Sequence, residues 1–175
     1  MHDHSTNVIL VGIDGSRNST VAAAWALSIG RLTNAPVKAV AVWTGHPEPS
    51  VSGVDDLTSE VHSKTVDAAT RSLLDAGLDG IEVTGQRGPV AEALLDASDA
   101  LDASMLVVGT RGLGPLSGLL LGSVSRRLLF TTHRPLVVVP CQSTLNPPAL
   151  SRVVVGVDCS VVAERVLSWS VAFCA

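Results

Sequence analysis

Glycine and serine residues between Gly109 and Ser125 are spaced in a way that suits the binding of an anion. The stretch reads GTRGLGPLSGLLLGSVS and follows a short apolar run, Met105 to Val108. Glycine adopts backbone angles that other residues avoid, and it lets a ligand approach the main chain closely. A helix predicted to begin near Ser123 leaves its first amides without internal partners, at the positive end of the helix dipole. A strand, a glycine loop and a bare helix start together predict a phosphate site.

The spacing within this stretch is more specific than its composition. Gly109 and Gly112 are separated by two residues, and nine residues then precede Gly122 and Ser123. This pattern resembles the G-2x-G-9x-G-[S/T] signature of the ATP-binding branch of the universal stress protein family. The flanking segments resemble the same family, and they read VVGTRG, GSVSRRLL and HRPLVVVP. A tight turn without a ligand is the alternative interpretation of such a loop.

The resemblance implies an ATP-binding regulatory module of the stress response, with Mg²⁺ as an optional companion of the phosphates. It implies that Asp14 lies beside the base and ribose, although an Asp that caps the following helix is the alternative. It also implies that backbone groups of strand two read the adenine. The predicted nucleotide-binding residues are Asp14, Gly15, Ser16, Ala41, Val42, Gly109, Arg111, Gly112, Gly114, Gly122, Ser123, Val124 and Ser125. A slow ATPase and a dimerisation module with an empty nucleotide site are the alternative functions.

Other motifs of nucleotide chemistry and catalysis are missing from the sequence. It contains no GxxxxGK[ST] loop and no GxSxG, and Asp-Gly-Ser follows the first strand where a dinucleotide fingerprint would need GxGxxG. The three cysteines and five histidines show no zinc spacing. We therefore predict neither a catalytic residue nor a metal site.

Composition narrows the classes of partner. The 175 residues are 46% hydrophobic and carry a net charge of −4. An acidic chain without a broad basic patch argues against nucleic acid as a main partner. No apolar run reaches the roughly 18 residues of a membrane span. The N-terminal MHDHSTN lacks the features of a secretory signal, so we expect a cytoplasmic location and no membrane partner.

Five predicted strands alternate with four predicted helices over the first 140 residues. Strands that are apolar along their whole length indicate a parallel sheet covered by helices on both faces. In such a doubly wound α/β sheet the ligand lies beyond the carboxyl ends of the strands, at the switch point. The resemblance implies the strand order 3-2-1-4-5 and an adenine-nucleotide alpha-hydrolase-like fold. It also implies a homodimer formed through the edge of strand five, Leu136 to Val139.

The C-terminal residues repeat the beginning of the chain. The segment 153–175 resembles 9–31, and VGVDCS stands where the first copy has VGIDGS. We therefore predict a universal stress protein domain over 1–140, a linker over 141–151 and the truncated start of a second such domain over 152–175. This partial βα unit should contain a strand from Val153 to Val157 and then a helix. We expect that it docks weakly on the first domain or pairs between chains.

Overall fold

A computed structural model describes residues 7–45, 54–112, 121–158 and 160–174. Its centre is a five-stranded parallel sheet in the order β3-β2-β1-β4-β5, as predicted. The apolar runs Ile9–Ile13 and Met105–Gly109 become central strands because both of their faces are buried in the sheet. The strands are β1 (Ile9–Ile13), β2 (Val37–Trp43), β3 (Glu82–Arg87), β4 (Met105–Gly109) and β5 (Leu136–Val139).

Helices cover both faces of the sheet and enclose two apolar cores. The described helices are α1 (Arg17–Thr33), α2 (Val54–Asp75), α3 (Val90–Ala100), α4 (Ser123–Thr131) and α5 (Val161–Cys174). Alternate strand residues face opposite sides, so Val11 of β1 packs with α1 and α2 while Leu10 packs with α3 and α4. None of the helices that the structure describes is long and apolar enough to cross a membrane.

The switch point of the sheet lies between β1 and β4. Ile9 pairs with Val37 of β2 on one side and with Met105 of β4 on the other. The chain leaves β1 toward α1 on one face, and it leaves β4 toward α4 on the opposite face. The ends of these two strands therefore separate, and a crevice opens between the loops that follow them.

Arg134 joins two connections on one side of the sheet. Its Nε lies 3.2 Å from Asp99 Oδ1, and its Nη1 lies 3.0 Å from Asp102 Oδ1. The same Nη1 donates to the Ala103 carbonyl oxygen at 2.6 Å. These bonds connect the turn between α4 and β5 to the turn between α3 and β4. They therefore hold the starts of β4 and β5 in place.

The partial βα unit forms its helix and lacks its strand. Residues 151–158 are in no strand, which corrects the prediction of a strand from Val153 to Val157. A strand is held by pairing with a neighbour, and no described strand lies beside this segment. The turn before α5 does form, because Ser160 N donates to Asp158 Oδ1 at 2.9 Å. Hydrogen bonds from the Ser160 side chain and backbone lower the pKa of Asp158 below its ordinary value.

Helix α5 is held to the rest of the chain by few side chains. Phe173, together with Leu145 and Leu150 of the preceding segment, packs against the core beneath α1 and α2. Trp169 stacks on Phe173 with ring centroids 5.1 Å apart, yet it is 42% exposed. Trp169 is therefore not a core residue, because the sheet that covers α1 has no counterpart over α5 among the described strands.

Candidate functional site

The turn between β1 and α1 fixes the first group of predicted site residues. Gly15 has a φ of 78°, a conformation that favours glycine and lets the chain reverse directly after Asp14. Ser16 N donates to Asp14 Oδ1 at 3.0 Å, which holds the carboxylate at the carboxyl end of β1. The Ser16 hydroxyl accepts from Ser19 N at 3.2 Å, so Ser16 caps α1. Asp14 is therefore held by the turn, while Ser16 is the helix cap.

Ser19 closes this turn from inside the protein, and the sequence analysis did not single it out. It is only 4% exposed. Its hydroxyl donates to the Ser16 carbonyl oxygen at 2.9 Å and accepts from Asp14 N at 3.3 Å. The main chain on both sides of Gly15 is thus hydrogen-bonded to one buried side chain.

The loop after β4 is closed at its base by Thr110. Thr110 N donates to the Val139 carbonyl oxygen at 2.9 Å, which continues the pairing of β4 with β5. The Thr110 carbonyl oxygen accepts from Gly122 N at 2.6 Å and from Ser125 Oγ at 3.0 Å. The two ends of the glycine loop are therefore fastened together, and the first turn of α4 is held against the end of β4.

The hydroxyl of Ser125 is used within the protein itself. The side chain is 2% exposed, and its proton is directed to the carbonyl oxygens of Thr110 and Gly122. A hydroxyl has one proton to donate, so Ser125 can offer a ligand its backbone amide and no side-chain hydrogen. Ser123, two residues earlier, is exposed.

At three signature glycines a Cβ would lie closer to neighbouring groups than side chains ordinarily do. A Cβ at Gly122 would lie 3.2 Å from the Thr110 carbonyl oxygen, and a Cβ at Gly109 would lie 3.0 Å from the Asn18 carbonyl oxygen. A Cβ at Gly112 would overlap the Asp14 carboxylate oxygen Oδ2. Asp14 and the glycine loop are therefore in direct contact across the crevice.

The crevice contains a cavity of about 260 Å³, which we call the glycine-loop cavity. Its walls come from the ends of β1, β2 and β4, the start of α3 and the first turn of α4. The predicted site residues that line it are Asp14, Val42, Gly109, Arg111, Gly112, Gly122, Ser123, Val124 and Ser125. The structure thus brings most of the predicted residues to one place.

Two further predicted residues, Gly15 and Ala41, lie on the face of the sheet that α2 covers. They line a second cavity of about 380 Å³ beneath α2, which we call the α2 cavity. Ala41 is only 1% exposed, so its contribution there is small. Asp14 and Val42 line both cavities. Ser16 lines neither, and Gly114 lies outside the described residues.

Apolar side chains complete the glycine-loop cavity, and the sequence analysis did not mark them as site residues. They come from three different elements and are Val40, Val90, Leu94 and Val108. A valine in a strand carries no chemical signature, so only the packing reveals this wall. The alternation of β2 gives one signal, because Val40 and Val42 must share a face of the sheet.

The polar end of the cavity is the start of α4. Gly122 occupies the cap position and provides no side-chain hydrogen bond to the first turn. The first helical residues, Ser123, Val124 and Ser125, line the cavity, and their amides belong to the positive end of the helix. Arg111 lines the same region, while Arg127 forms an ion pair with Glu92 of α3. Among the described residues no three His, Cys, Asp or Glu side chains are grouped closely enough to hold a metal ion.

Comparison with known proteins agrees with this geometry. The profile described as "Universal stress protein family" matches residues 6–140. A universal stress protein of Mycolicibacterium smegmatis is 32% identical over 166 residues, which cover 89% of this chain and 55% of that protein. One from Mycobacterium tuberculosis is 30% identical over 180 residues, covering 90% of this chain and 56% of that protein. The chain therefore belongs to the universal stress protein family, and it spans about 55% of the length of these relatives.

Solved structures show the same fold. A universal stress protein in complex with cAMP is 27% identical, with a TM-score of 0.57 over 78% of this chain and 98% of that chain. A universal stress protein of Archaeoglobus fulgidus DSM 4304 is 19% identical, with a TM-score of 0.59 over 97% of this chain and 63% of that chain. The doubly wound sheet is thus shared with members of the family whose sequences have diverged widely.

Proposed function

We propose that this chain binds ATP in the glycine-loop cavity and acts as a regulatory nucleotide-binding module. The observation that carries the proposal is the meeting of two features in one cavity. The uncapped start of α4 and the signature glycines form one end, and an apolar wall forms the other. A nucleotide likewise has a polar part and an apolar part, because its phosphates need amide donors and its base needs an apolar surface.

The residues present fit the parts of a nucleotide. The amides of Ser123, Val124 and Ser125 would hold phosphate oxygens, since Gly122 leaves the approach open. The apolar wall would pack against the base. Asp14 lines the cavity and accepts hydrogen bonds, which suits ribose hydroxyls. Mg²⁺ bound with the phosphates would neutralise part of their charge.

A related structure supports the choice of an adenine nucleotide. The universal stress protein that is 27% identical to this chain was solved with cAMP. cAMP and ATP share the base and the ribose, so the apolar wall and Asp14 would serve both. The phosphate end would then decide between them, and ATP is our choice because the signature matches the ATP-binding branch.

The arrangement of the whole protein forms a second part of the proposal. We propose a homodimer through β5, because β5 is an edge of the sheet and its first three residues are only half-buried. We also propose that residues 152–175 begin a second domain of the same kind. The repeat of the Asp14–Ser16 turn by Asp158 and Ser160 supports this assignment. A cytoplasmic location stays a prediction.

Isothermal titration with ATP, AMP and cAMP tests the binding proposal, and mass spectrometry of gently purified protein tests whether a nucleotide is retained. Gly122→Glu should abolish binding, because a Cβ there already crowds the Thr110 carbonyl oxygen and a carboxylate would occupy the phosphate end. The matched control is Gly156→Glu. It places the same charge at an exposed glycine whose Cβ would have no neighbour within 4 Å. Equal ATP binding by wild type and Gly122→Glu would place the site elsewhere.

A further inference from the structure

Thr110 carries a hydroxyl whose environment the fold does not explain. The residue is half-buried and lines the glycine-loop cavity, but its Oγ1 is buried and has no hydrogen-bond partner among the described residues. A buried donor without a partner is unfavourable, and most such groups in folded proteins are satisfied. An apolar residue of the same shape would avoid this cost if the fold alone set the choice.

The main chain of Thr110 is fixed on both sides. Its amide donates to the Val139 carbonyl oxygen, and its own carbonyl oxygen accepts from Gly122 N and Ser125 Oγ. The remaining freedom of the residue is rotation about χ1, which exchanges the hydroxyl and the methyl between staggered positions. Rotation about χ1 leaves the main-chain hydrogen bonds of Thr110 unchanged.

The position of Thr110 favours an anionic partner. It lies against the first turn of α4, since its carbonyl oxygen is 2.6 Å from Gly122 N and 3.0 Å from Ser125 Oγ. Anions bind at such a helix start, where the unpaired amides and the helix dipole attract them. The apolar wall that suits a base is formed by other elements, β2 and α3, together with Val108 of β4.

We propose that the Thr110 hydroxyl rotates about χ1 when a nucleotide binds and donates a hydrogen bond to a phosphate oxygen. The inference rests on the proposed function, because it assumes that the glycine-loop cavity holds a nucleotide. It adds a side-chain donor to the backbone amides of α4. It also gives Ser125 a defined part, which is to hold the main chain of Thr110 in place.

The test compares Thr110→Val, which replaces the hydroxyl by a methyl group, with Thr110→Ser, which keeps the hydroxyl. Titration of the full chain with ATP should show binding about ten- to hundredfold weaker for Thr110→Val, the effect of one hydrogen bond to a charged group. Thr110→Ser should stay within about threefold of wild type. Adenosine, which has no phosphate, should bind wild type and Thr110→Val equally. Thr110→Ala provides a second variant without the hydroxyl if Thr110→Val fails to fold.

Thermal unfolding without nucleotide separates this role from a structural one. Thr110→Val should melt no lower than wild type, because it removes an unsatisfied buried donor. A lower melting temperature with unchanged ATP affinity would overturn the proposal, as would an equal loss of adenosine affinity. If wild type binds ATP and Gly122→Glu does not, but Thr110→Val binds like wild type, only the role of Thr110 is wrong. If wild type binds no nucleotide, the proposed function fails and the role of Thr110 fails with it.

Discussion

At the scale of single residues, two serines at the start of α4 differ in exposure and in hydrogen bonding. Ser123 is exposed and lines the glycine-loop cavity, while Ser125 is 2% exposed and donates its hydroxyl to the Thr110 carbonyl oxygen. Residues two positions apart on a helix point about 200° away from each other. The Ser123 side chain therefore faces the glycine-loop cavity, and the Ser125 side chain faces the protein interior.

We expect opposite effects from the two alanine variants. Ser125→Ala should lower the free energy of unfolding by about 1 kcal/mol, because a buried hydrogen bond is lost, and ATP affinity should change less than threefold. Ser123→Ala should leave stability within about 0.5 kcal/mol and weaken ATP binding several-fold. Urea unfolding and isothermal titration measure the two quantities. A larger stability loss for Ser123→Ala than for Ser125→Ala would contradict this division.

The sequence allowed the glycine loop to be predicted, because its glycines and serines have a spacing that few other structures share. The direction of each serine could also have been predicted from the helical period, given the start of α4 at Ser123. The apolar wall of the cavity could not be predicted. In the sequence Val90 and Leu94 look like any other core residues, and only the fold places them beside β4. The buried Oγ1 of Thr110 likewise depends on packing that no local pattern records.

At the scale of elements, the position of α4 depends on connections at both of its ends. The Thr110 carbonyl oxygen holds its beginning, and Arg134 holds the turn that follows it. Side-chain exposure of Arg134 is 25%, so its bonds to Asp99, Asp102 and Ala103 are partly shielded from water. The sequence predicted the start of α4 and the bounds of β5, since Gly122 and Pro135 precede them. It did not reveal the connection between Arg134 and the α3–β4 turn, which is more than 30 residues away.

Arg134→Met tests this connection. We expect it to lower the free energy of unfolding by about 1–3 kcal/mol, because the Ala103 carbonyl oxygen and two carboxylates lose a charged donor. Denaturant unfolding gives the value. Arg71→Met, at an exposed arginine on α2, is the control and should stay within about 0.5 kcal/mol. Equal effects of the two variants would show that Arg134 contributes no more than a solvated side chain.

At the scale of the whole molecule, the residues after β5 cover part of the first core and also expose apolar surface. Phe173 and Leu150 pack against that core, while Val154 is 85% exposed and Val171 is 70% exposed. The repeat in the sequence predicted the helix of this segment. The sequence also predicted a strand from Val153 to Val157, which the structure lacks. Strand formation depends on a neighbouring strand and not on local composition.

Removing residues 146–175 should leave ATP affinity within about twofold, since none of the residues described in this range lines the glycine-loop cavity. Solubility should improve, because exposed valines are lost. The free energy of unfolding should fall by about 1–2 kcal/mol with the partial cover of Phe173 and Leu150.

Sedimentation at micromolar concentration adds a second measurement, because a dimer through β5 should form in the full and the shortened chain alike. A monomeric full chain would contradict the dimer, and loss of ATP binding on shortening would make the C-terminal segment part of the site.

Asp14 lines both the glycine-loop cavity and the α2 cavity, so the two cavities share one carboxylate. A molecule that binds beneath α2, beside Lys64 and Thr65, changes the surroundings of the group that would face the nucleotide. Thermodynamic linkage then requires that each ligand alter the affinity of the other by the same factor. The end of β1 would in this way couple the two helical layers of the protein, through Asp14 together with Ile13 and Val42, which also line both cavities.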